Sequence, residues 1–444
     1  MSQKRIAVIG GGISGLGAAW LLSRKHQVTL FEGNDYIGGH THTQDVPGPD
    51  GPMPVDTGFI VYNERNYPLL TGLFNHLGVA TRASDMSFAF RSANGRLEWA
   101  GDSLDKLFAQ RRNLLNLSFL RMVCDMLRFN RCAHRFLVED TGNEPTLGEF
   151  LHAIGASREL RQQYLLPMAA AIWSCPPEDM LRFPARRFLQ FFRNHGLLDL
   201  VNRPQWRTVE GGGREYVRRM APAISGGCHA NTPVHRIQRR DGGVDVFSER
   251  ELLGSFDDVV IATHADQALA MLAEPGFWEA KLLGTFQYQE NVAWLHSDTS
   301  LMPKLRRIWA SWNYQGGAPG RPASVTYWMN RLQHLPGPTD YFVTLNPDDA
   351  PHPGAVHRRM VYTHPVFDAS AVRAQGVMDH IQGRDRIWFC GSYLGYGFHE
   401  DGLRSAAGVA RAFDIPLPWV ERPAPAVIPA REPMPDSLAG WQTP

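Results

Sequence analysis

The stretch Arg5-Ile6-Ala7-Val8-Ile9-Gly10-Gly11-Gly12-Ile13-Ser14-Gly15 decides the fold of this chain. It reads as an apolar strand that runs directly into a Gly-x-Gly-x-x-Gly turn, and an apolar helix and a second strand at 28–31 follow. In such a turn Gly10 allows the tight bend, Gly12 lets the backbone approach a pyrophosphate, and Gly15 lets helix and strand pack closely. The helix start at Ile13 and Ser14 offers free N–H groups to that pyrophosphate. The stretch therefore predicts a dinucleotide-binding unit.

The second strand ends at Glu32, which lies twenty positions after Gly12. A carboxylate at this spacing can accept a hydrogen bond from the ribose hydroxyl of a dinucleotide. It also disfavours a 2′-phosphorylated ribose, because two negative groups would meet there. This order of elements indicates a Rossmann-like unit rather than a glycine-rich turn without a ligand: a strand, the glycine turn, a helix, a second strand and an acid.

Two further glycine motifs narrow the nucleotide. Gly38-Gly39-His40 follows the acid, and Gly58-Phe59-Ile60 comes shortly after it. With Ala19 and Leu22 in the first helix, these motifs resemble the family of FAD-dependent amine oxidases, protoporphyrinogen oxidases and carotenoid desaturases. The resemblance implies an FAD-dependent oxidoreductase whose cofactor is bound noncovalently through these motifs. An Arg of the family pattern is replaced here by His40.

A second glycine-rich turn near the C-terminus follows another apolar strand. Gly391 and Ser392 open this turn, and Asp401-Gly402-Leu403 lead into a helix predicted over 403–413. In the resembling family this helix N-terminus points at the flavin, and its dipole stabilises the negative charge that gathers on reduction. Ser392 stands where the family usually has an acid. Asp401 is predicted to be the N-cap of the helix.

The chain has 444 residues, which is too many for one core, so at least two domains are expected. The predicted fold is α/β, with a Rossmann-like FAD-binding domain interrupted by a substrate domain that has an antiparallel sheet and a helical cap. The predicted bounds are 1–72, 205–275 and 385–414 for the FAD-binding domain, 73–204 and 276–384 for the substrate domain, and 415–444 for a Pro-rich tail.

Periodicity supports this division. Helical spacing predicts the cap over 103–137, 147–166 and 185–194, and aromatic-rich alternation predicts strands at 291–296, 324–328 and 341–345. A sheet and a cap can enclose a large apolar pocket. The family resemblance also implies that a strand around Val234 passes the adenine, in one sheet with the strand at 259–262.

Composition excludes several classes of protein. The net charge of +1 argues against a nucleic-acid partner. The odd number of cysteines and their wide spacing indicate neither a disulfide framework nor a zinc site, which suits a reducing cytosol; they are Cys124, Cys132, Cys175, Cys228 and Cys390. Because the sequence shows no signal peptide and no apolar run long enough for a bilayer, we expect a cytoplasmic protein, with peripheral contact to the inner face of the membrane as an option.

Candidate catalytic residues are few. His399 and Glu400 can face the flavin or make structural hydrogen bonds in a tight turn. His40 and His42 can bind the cofactor or form a polar turn, and no spacing resembles a metal site. Lys281 and Lys304 are the candidates for the flavin-facing lysine of amine oxidases, but neither lies in a clear strand. The missing lysine weighs toward the desaturase-like branch, in which hydride transfer needs little beyond the flavin.

Over nearly its whole length the chain resembles a bacterial branch of NAD/FAD-binding proteins and the flavin-like N-terminal half of plant cyclopropane fatty acid synthases. The motifs behind this resemblance are 39–43, 56–63 and 397–402. It implies a lipid substrate, such as an unsaturated or methylated fatty acyl chain. Two alternatives stay open: a flavin amine oxidase, and a non-catalytic flavin-binding partner of a lipid methyltransferase.

The stretch 103–135 carries seven basic and two acidic residues, with apolar residues at helical spacing. A basic amphipathic segment of this kind can rest on an anionic membrane. Alternatively, its apolar face is ordinary core and its arginines form a solvated face.

Overall fold

The computed structural model of the protein describes residues 2–139, 144–173, 176, 178–199, 203–317 and 324–420. Cys175 and the part of the predicted tail beyond 420 lie outside the described residues. The strands are, in chain order, β1 Arg5–Ile9, β2 Gln27–Phe31, β3 Thr43–Gly48, β4 Gly51–Asp56, β5 Tyr62–Asn63, β6 Thr81–Ser84, β7 Phe88–Arg91, β8 Glu98–Ala100, β9 Trp206–Val209, β10 Cys228–His229, β11 Arg236–Arg240, β12 Gly243–Phe247, β13 Leu252–Phe256, β14 Asp258–Ile261, β15 Gln287–His296, β16 Trp312–Gln315, β17 Ser324–Trp328, β18 Phe342–Leu345, β19 Val356–Val366 and β20 Ile387–Phe389.

The α-helices are α1 Ile13–Leu22, α2 Pro68–Leu77, α3 Leu104–Leu107, α4 Leu117–Val138, α5 Leu147–Ala153, α6 Arg158–Leu160, α7 Leu166–Trp173, α8 Ala185–Asn194, α9 Arg214–Met220, α10 Ala265–Met271, α11 Phe277–Leu283, α12 Met329–Gln333, α13 Ala369–Gln375 and α14 His399–Ala412. A 3-10 helix, Arg111–Leu115, joins α3 to α4, and a π-helical turn, Arg161–Leu165, joins α6 to α7. Within the described part of the chain, no helix is long and apolar enough to span a bilayer.

A five-stranded parallel sheet carries the dinucleotide unit, with the strand order β10-β2-β1-β14-β20. The central strand β1 pairs with β2 and β14, so that Ala7 lies between Thr29 and Val259. Both faces of β1 are covered, because α1 and α14 pack on one face and the β11–β13 layer packs on the other. The run 6–9 is buried for this reason. The Rossmann-like α/β prediction is confirmed.

The strand predicted around Val234 begins at Arg236, as β11, and it does not belong to the parallel sheet. It pairs antiparallel with β12 across a turn at Gly242, where φ is +78°, and β13 completes a separate three-stranded sheet. The prediction that this strand shares a sheet with 259–262 is therefore wrong. The backbone of β11 is already paired with β12, and the edge of the parallel sheet beside β2 is occupied by β10.

A seven-stranded sheet with the order β19-β15-β18-β17-β16-β7-β8 forms the substrate side. Its neighbouring strands are antiparallel except β7 and β16, which run parallel. The three predicted strands correspond to the end of β15, to β17 and to β18. β7 and β8 add a region before the cap that the sequence patterns did not identify as sheet.

Helices α4 to α8 cover this sheet and enclose one apolar core with it. Phe119 and Phe129 of α4 and Phe188 of α8 belong to the same buried cluster as Tyr314 and Val325 of the sheet. Helix α8 has the predicted bounds, whereas the predicted helix over 103–137 divides into α3, the 3-10 helix and α4.

Helix α14 begins at His399, four residues before the predicted start at Leu403. Phe398 precedes its first turn and Asp401 is its third residue, so the prediction that Asp401 is the N-cap is wrong. The Asp401 carboxylate instead accepts backbone N–H groups of Tyr396 and Phe398, at 3.0 and 3.1 Å. These bonds extend the helix backward into the glycine-rich turn.

Candidate functional site

One cavity of about 1640 Å³ runs from the glycine turn after β1 to the helices of the cap. Ligand pockets typically hold about 300–1,000 Å³, so this space exceeds that of a single small ligand. Gly10, Gly12 and Glu32 line one end, and Met126 and Trp173 line the other. The cavity therefore has a nucleotide half and a substrate half.

The three glycines of the first turn differ in what surrounds them. A Cβ on Gly10, where φ is +102°, would lie 2.9 Å from the Ala262 carbonyl oxygen, and one on Gly15 would lie 1.8 Å from the Gly10 carbonyl oxygen. Around Gly12 the nearest atom would be the Gly39 Cα at 3.9 Å, and Gly12 itself lines the cavity. Gly10 and Gly15 thus allow close packing, whereas Gly12 leaves open the space that a pyrophosphate would fill.

The start of α1 faces that space. Its N-cap is Gly12, which provides no side-chain hydrogen bond, and both Ile13 and Ser14 line the cavity. Helix α14 starts beside it, because a Cβ on Gly402 would lie 2.7 Å from Ser14 Oγ. Two helix N-termini therefore lie side by side at the nucleotide half, where they favour a negatively charged ligand.

Glu32 lines the cavity and is 8% exposed. One carboxylate oxygen accepts the Gly11 N–H at 2.7 Å, and the other accepts the Asn34 backbone and side-chain N–H groups, both at 2.9 Å. A carboxylate has about four acceptor positions, so these bonds orient Glu32 and leave capacity for a ribose hydroxyl.

His40 lies beside the glycine turn because Gly39, with φ at +57°, touches Gly12: a Cβ on Gly39 would lie 2.9 Å from the Gly12 Cα. The His40 ring lines the cavity, and its buried Nε2 has no hydrogen-bond partner among the described residues. Burial lowers its pKa well below the usual range, and neighbouring histidines lower it further. His40 is therefore an uncharged ring beside the cavity, with one buried nitrogen that has no partner among the described residues.

His42, the other histidine of this turn, does not line the large cavity. Its Nδ1 lies 2.9 Å from the Tyr362 hydroxyl and its Nε2 lies 2.6 Å from Gln44 Nε2. Of the two readings that the sequence left open, His42 fits the polar turn and His40 fits the ligand contact.

The remaining predicted cofactor residues divide into two groups. One group lines the cavity: Gly58, Phe59, Ile60, Val234, Gly391 and Ser392. The other supports it from behind: Gly15, Gly38, Asp401, Gly402 and Leu403. Leu403, for example, packs toward α1, where a Cβ on Gly17 would lie 3.0 Å from its side chain. We therefore expect direct contact with the cofactor only from the first group.

His399 lines the cavity at the first residue of α14. Its ring stacks on Phe59 with 3.8 Å between centroids, and its Nε2 lies 2.9 Å from Thr41 Oγ1. Burial lowers the pKa of His399 to about 3, so the ring is uncharged at neutral pH. The geometry places His399 at the site as a fixed, neutral hydrogen-bonding group.

Glu400 points away from the cavity and is 3% exposed. Its two carboxylate oxygens accept the backbone N–H groups of Leu69 and Leu70, each at 3.0 Å, at the start of α2. Glu400 thus caps α2 and does not line the cavity, so its contacts favour the structural hydrogen bonds over a catalytic role. A residue beside His399 on a helix necessarily points in another direction, because successive side chains are separated by about 100°.

The sequence reading missed a second group of cavity residues. His264 follows β14 and stacks on Tyr288, with 4.4 Å between centroids. His364 lies on β19, 5.1 Å from His40 between ring centroids, and burial lowers its pKa to about 4. The one available signal was the His at the end of a buried strand, since ligand-binding groups in α/β sheets follow the carboxyl ends of strands. For His364, the alternation of residue types along β19 does not distinguish a ligand-facing histidine from any other strand residue.

The substrate half of the cavity is apolar and aromatic. Its walls include Trp99, Met122, Val123, Met126, Tyr164, Met168, Ile172, Trp173, Phe191, Leu197, Trp312, Tyr327, Leu345, Phe367, Tyr396 and Phe398. No lysine lines the cavity among the residues that the structure describes. Lys281 lies on α11 over the Phe277 ring, and Lys304 lies in an exposed loop.

Besides Glu32, two carboxylates line the cavity within the described ranges, and both are paired. Asp85 contacts the Arg331 guanidinium at 2.9 Å and accepts the Ser311 hydroxyl at 2.7 Å. Asp102 lies 2.5 Å from the Lys106 ammonium and 3.3 Å from Arg331. The substrate half therefore offers no free carboxylate to a cationic ligand.

Comparisons with known proteins agree with this architecture. A family model described as flavin containing amine oxidoreductase matches residues 13–412. The protein AofH of Mycobacterium tuberculosis, named as a flavin-containing monoamine oxidase, is 28% identical over 258 residues, which cover 55% of this chain and 54% of AofH. The chain thus spans about half the length of that relative.

Two further similarities concern a short segment and the fold. A 1-hydroxycarotenoid 3,4-desaturase of Flavobacterium is 47% identical over 47 residues, 10% of each chain. The crystal structure of a fatty acid isomerase from P. acnes that produces CLA superposes with a TM-score of 0.65 at 17% identity, covering 93% of this chain and 100% of that one. The latter similarity concerns the fold alone.

Proposed function

We propose that this chain, which belongs to the family of flavin-containing amine oxidoreductases, oxidises a C–H bond of an apolar, fatty-acyl substrate. FAD is the cofactor of the family, and when bound it accepts a hydride. In the desaturation that we propose, the neighbouring carbon loses a proton to water and a carbon–carbon double bond remains. The observation that carries the proposal is the substrate half of the cavity, whose walls are mostly apolar and aromatic and whose two carboxylates are already paired with basic side chains.

The nucleotide half fits FAD. Gly12 leaves room for the pyrophosphate, Glu32 is oriented for a ribose hydroxyl, and His40 keeps one ring nitrogen free. The adjacent N-termini of α1 and α14 favour an anionic group in the same place. The glycine turn, the acid, the histidine and the start of α14 belong to separate segments of the chain. A bound dinucleotide would contact all of them at once.

The substrate half favours an acyl chain over an ammonium ion. Burying one methylene group stabilises a complex by about 0.8 kcal/mol, and the aromatic walls provide surface for many such groups. An ammonium ion would lose its hydration without finding an acidic partner, because Asp85 and Asp102 are already paired with basic side chains. Among the described residues, the lining also has no lysine of the kind expected beside the flavin in amine oxidases, and this too favours an acyl substrate.

Two buried histidines of this lining are uncharged. Burial lowers the pKa of His399 to about 3 and that of His364 to about 4, so neither ring is protonated at neutral pH. His399 is fixed by its contact with the Thr41 hydroxyl and by stacking on Phe59. Because the ring is neutral, it can make a hydrogen bond to a ligand without adding charge to the site. We therefore assign His399 to positioning rather than to proton transfer.

A flavin amine oxidase is the second candidate. The name of AofH favours it, and aromatic ring faces such as those of Trp173 and Tyr396 can attract a cation. A non-catalytic flavin-binding partner of a lipid methyltransferase is the third candidate, since a folded flavin site does not require turnover.

Anaerobic mixing of the purified holoprotein separates the three candidates. The flavin absorbance near the visible maximum reports transfer of a hydride from the substrate. Bleaching by unsaturated or methylated acyl chains, and none by amines, is the expected result. Bleaching by amines alone would establish the amine oxidase. Absence of bleaching by either class, together with tight binding of a lipid methyltransferase, would establish the non-catalytic partner.

A further inference from the structure

We propose that the surface formed by residues 104–117 docks on an anionic lipid bilayer, with its leucines in the interface and its basic side chains at the headgroups. The docking stands on exposed residues and charge. Its purpose, delivery of an acyl chain to the cavity, rests on the proposed function. The surface comprises α3, the 3-10 helix and the first residue of α4, and we refer to it as the leucine surface.

Four leucines of this short stretch face solvent. Leu104 is 76% exposed, Leu114 50%, Leu115 88% and Leu117 81%. Apolar residues scattered singly on a surface are common, but four within fourteen positions form a concentrated apolar area. Exposed apolar areas of this kind occur at protein–protein, membrane and ligand contacts, and the basic residues beside this one favour an anionic membrane.

The leucine surface adjoins the cavity. Leu104 is largely exposed and also lines the cavity, together with Ser103 and Leu107. A residue that does both lies at an opening between the cavity and solvent. Behind this opening, Met122 and Met126 of α4 continue the apolar lining. A lipid bound at the leucine surface would therefore lie next to the substrate half.

The charge around the leucines is positive. Residues 102–117 contain three basic and two acidic side chains, and residues 118–139 add four basic and two acidic ones. Arg111 pairs with Asp105 at 2.5 Å, and Arg112 donates a hydrogen bond to the Arg96 carbonyl oxygen, so both guanidinium groups of the leucine surface are held in place. Apolar side chains flanked by basic ones complement an anionic bilayer, whose charge attracts basic residues near its surface.

Helix α4 contributes through its basic face rather than its apolar one. Phe119, Met122 and Phe129 are buried in the cap core, so the amphipathic pattern at 117–135 reflects ordinary packing. Arg128 and Arg131 are exposed and have no ion pair among the described residues. Of the membrane contact predicted over 103–135, the apolar part lies mainly in 104–117, and Leu127 of α4 adds one further leucine that is 47% exposed.

Sedimentation with vesicles tests the proposal. We expect the holoprotein to pellet with phosphatidylcholine vesicles that contain one quarter phosphatidylglycerol, and to pellet less in high salt, because salt screens exposed charges. The double variant Leu115→Asp, Leu117→Asp should lower the partition coefficient at least tenfold. Arg111→Glu with Arg112→Glu should lower it by about fivefold or more for each residue.

Matched controls lie on the β12–β13 hairpin, which belongs to the three-stranded sheet and not to the cap. Leu252 is 51% exposed and Arg250 is also exposed, so Leu252→Asp and Arg250→Glu each make one substitution of the same kind outside the leucine surface. These controls should bind vesicles as the parent protein does. The FAD absorbance of every variant should stay unchanged, which establishes that each one is folded.

Equal sedimentation with and without vesicles would overturn the proposal, and so would a Leu115→Asp, Leu117→Asp variant that binds like its control. Binding of a soluble acidic acyl carrier in place of vesicles would also overturn it and would identify a protein donor. If vesicles bind but no lipid bleaches the flavin, the docking surface stands and the proposed function fails.

Discussion

At the scale of single residues, Gly12 and Gly15 separate ligand binding from folding. Gly12 has φ −70° and ψ −179°, which any residue can adopt, and a Cβ there meets nothing within 3.9 Å. Gly12→Ala should therefore fold normally but lose FAD affinity at least tenfold, because its methyl group occupies the pyrophosphate space. FAD titration and thermal unfolding measure the two effects.

Gly15→Ala should instead reduce the stability of the fold. Its Cβ would lie 1.8 Å from the Gly10 carbonyl oxygen, so the turn or the helix must move. We expect the free energy of unfolding to fall by about 1–3 kcal/mol, as overpacking typically costs. A stable Gly15→Ala protein combined with an unfolded Gly12→Ala protein would contradict this assignment.

His40 provides the second test at this scale. His40 lines the nucleotide half and its Nε2 has no partner among the described residues, so we expect this nitrogen to bond the cofactor and His40→Ala to weaken FAD binding about five- to tenfold. His152→Ala on the exposed side of α5 is the matched control and should leave the dissociation constant unchanged. Equal FAD affinities of the two variants would remove His40 from the cofactor site.

At the scale of elements, Glu400 joins two helices. It belongs to α14 and accepts both leading N–H groups of α2, so Glu400→Ala should lower the free energy of unfolding by about 2 kcal/mol. Glu400→Gln keeps one acceptor oxygen and should lose less. Urea unfolding measures both, and the rate of flavin reduction should not change. A stable variant with slowed flavin reduction would restore Glu400 as a catalytic residue.

The elements also explain which parts of the fold were predictable. The parallel sheet follows from local signals, because β1, the glycine turn and α1 are contiguous in the sequence. The strand leads directly into the turn, and the glycines of the turn let the helix pack against the strand. The same holds for α8, whose apolar face has a regular period. The start of α14 was misjudged because side-chain bonds from Asp401 to the preceding turn extend the helix, and such bonds leave no periodic signal.

The site was predictable only where a motif carried it. Gly12, Glu32 and His40 lie on the turns that the glycine patterns indicated. His264 and His364 reach the same cavity from distant segments, through the pairing of β14 with β1 and of β19 with β15. This proximity depends on long-range sheet register, which one sequence does not specify.

At the scale of the whole molecule, one cavity extends from the glycine turn of the parallel sheet to the cap, with two helix N-termini at its nucleotide half and mostly apolar walls at its substrate half. We propose that a long hydrocarbon chain is oxidised where these halves meet. It follows that chain length should control binding, since each buried methylene contributes about 0.8 kcal/mol, or about fourfold in affinity. Amines of similar size should not follow this series.

The most direct test is anaerobic stopped-flow reduction of the bound FAD by a series of acyl substrates of increasing chain length, with alkylamines of matched length alongside. We expect saturable bleaching by the acyl series, with an apparent dissociation constant that falls about fourfold for each added methylene until the cavity is filled. Faster bleaching by the amines, with acyl chains inert at every length, would contradict it.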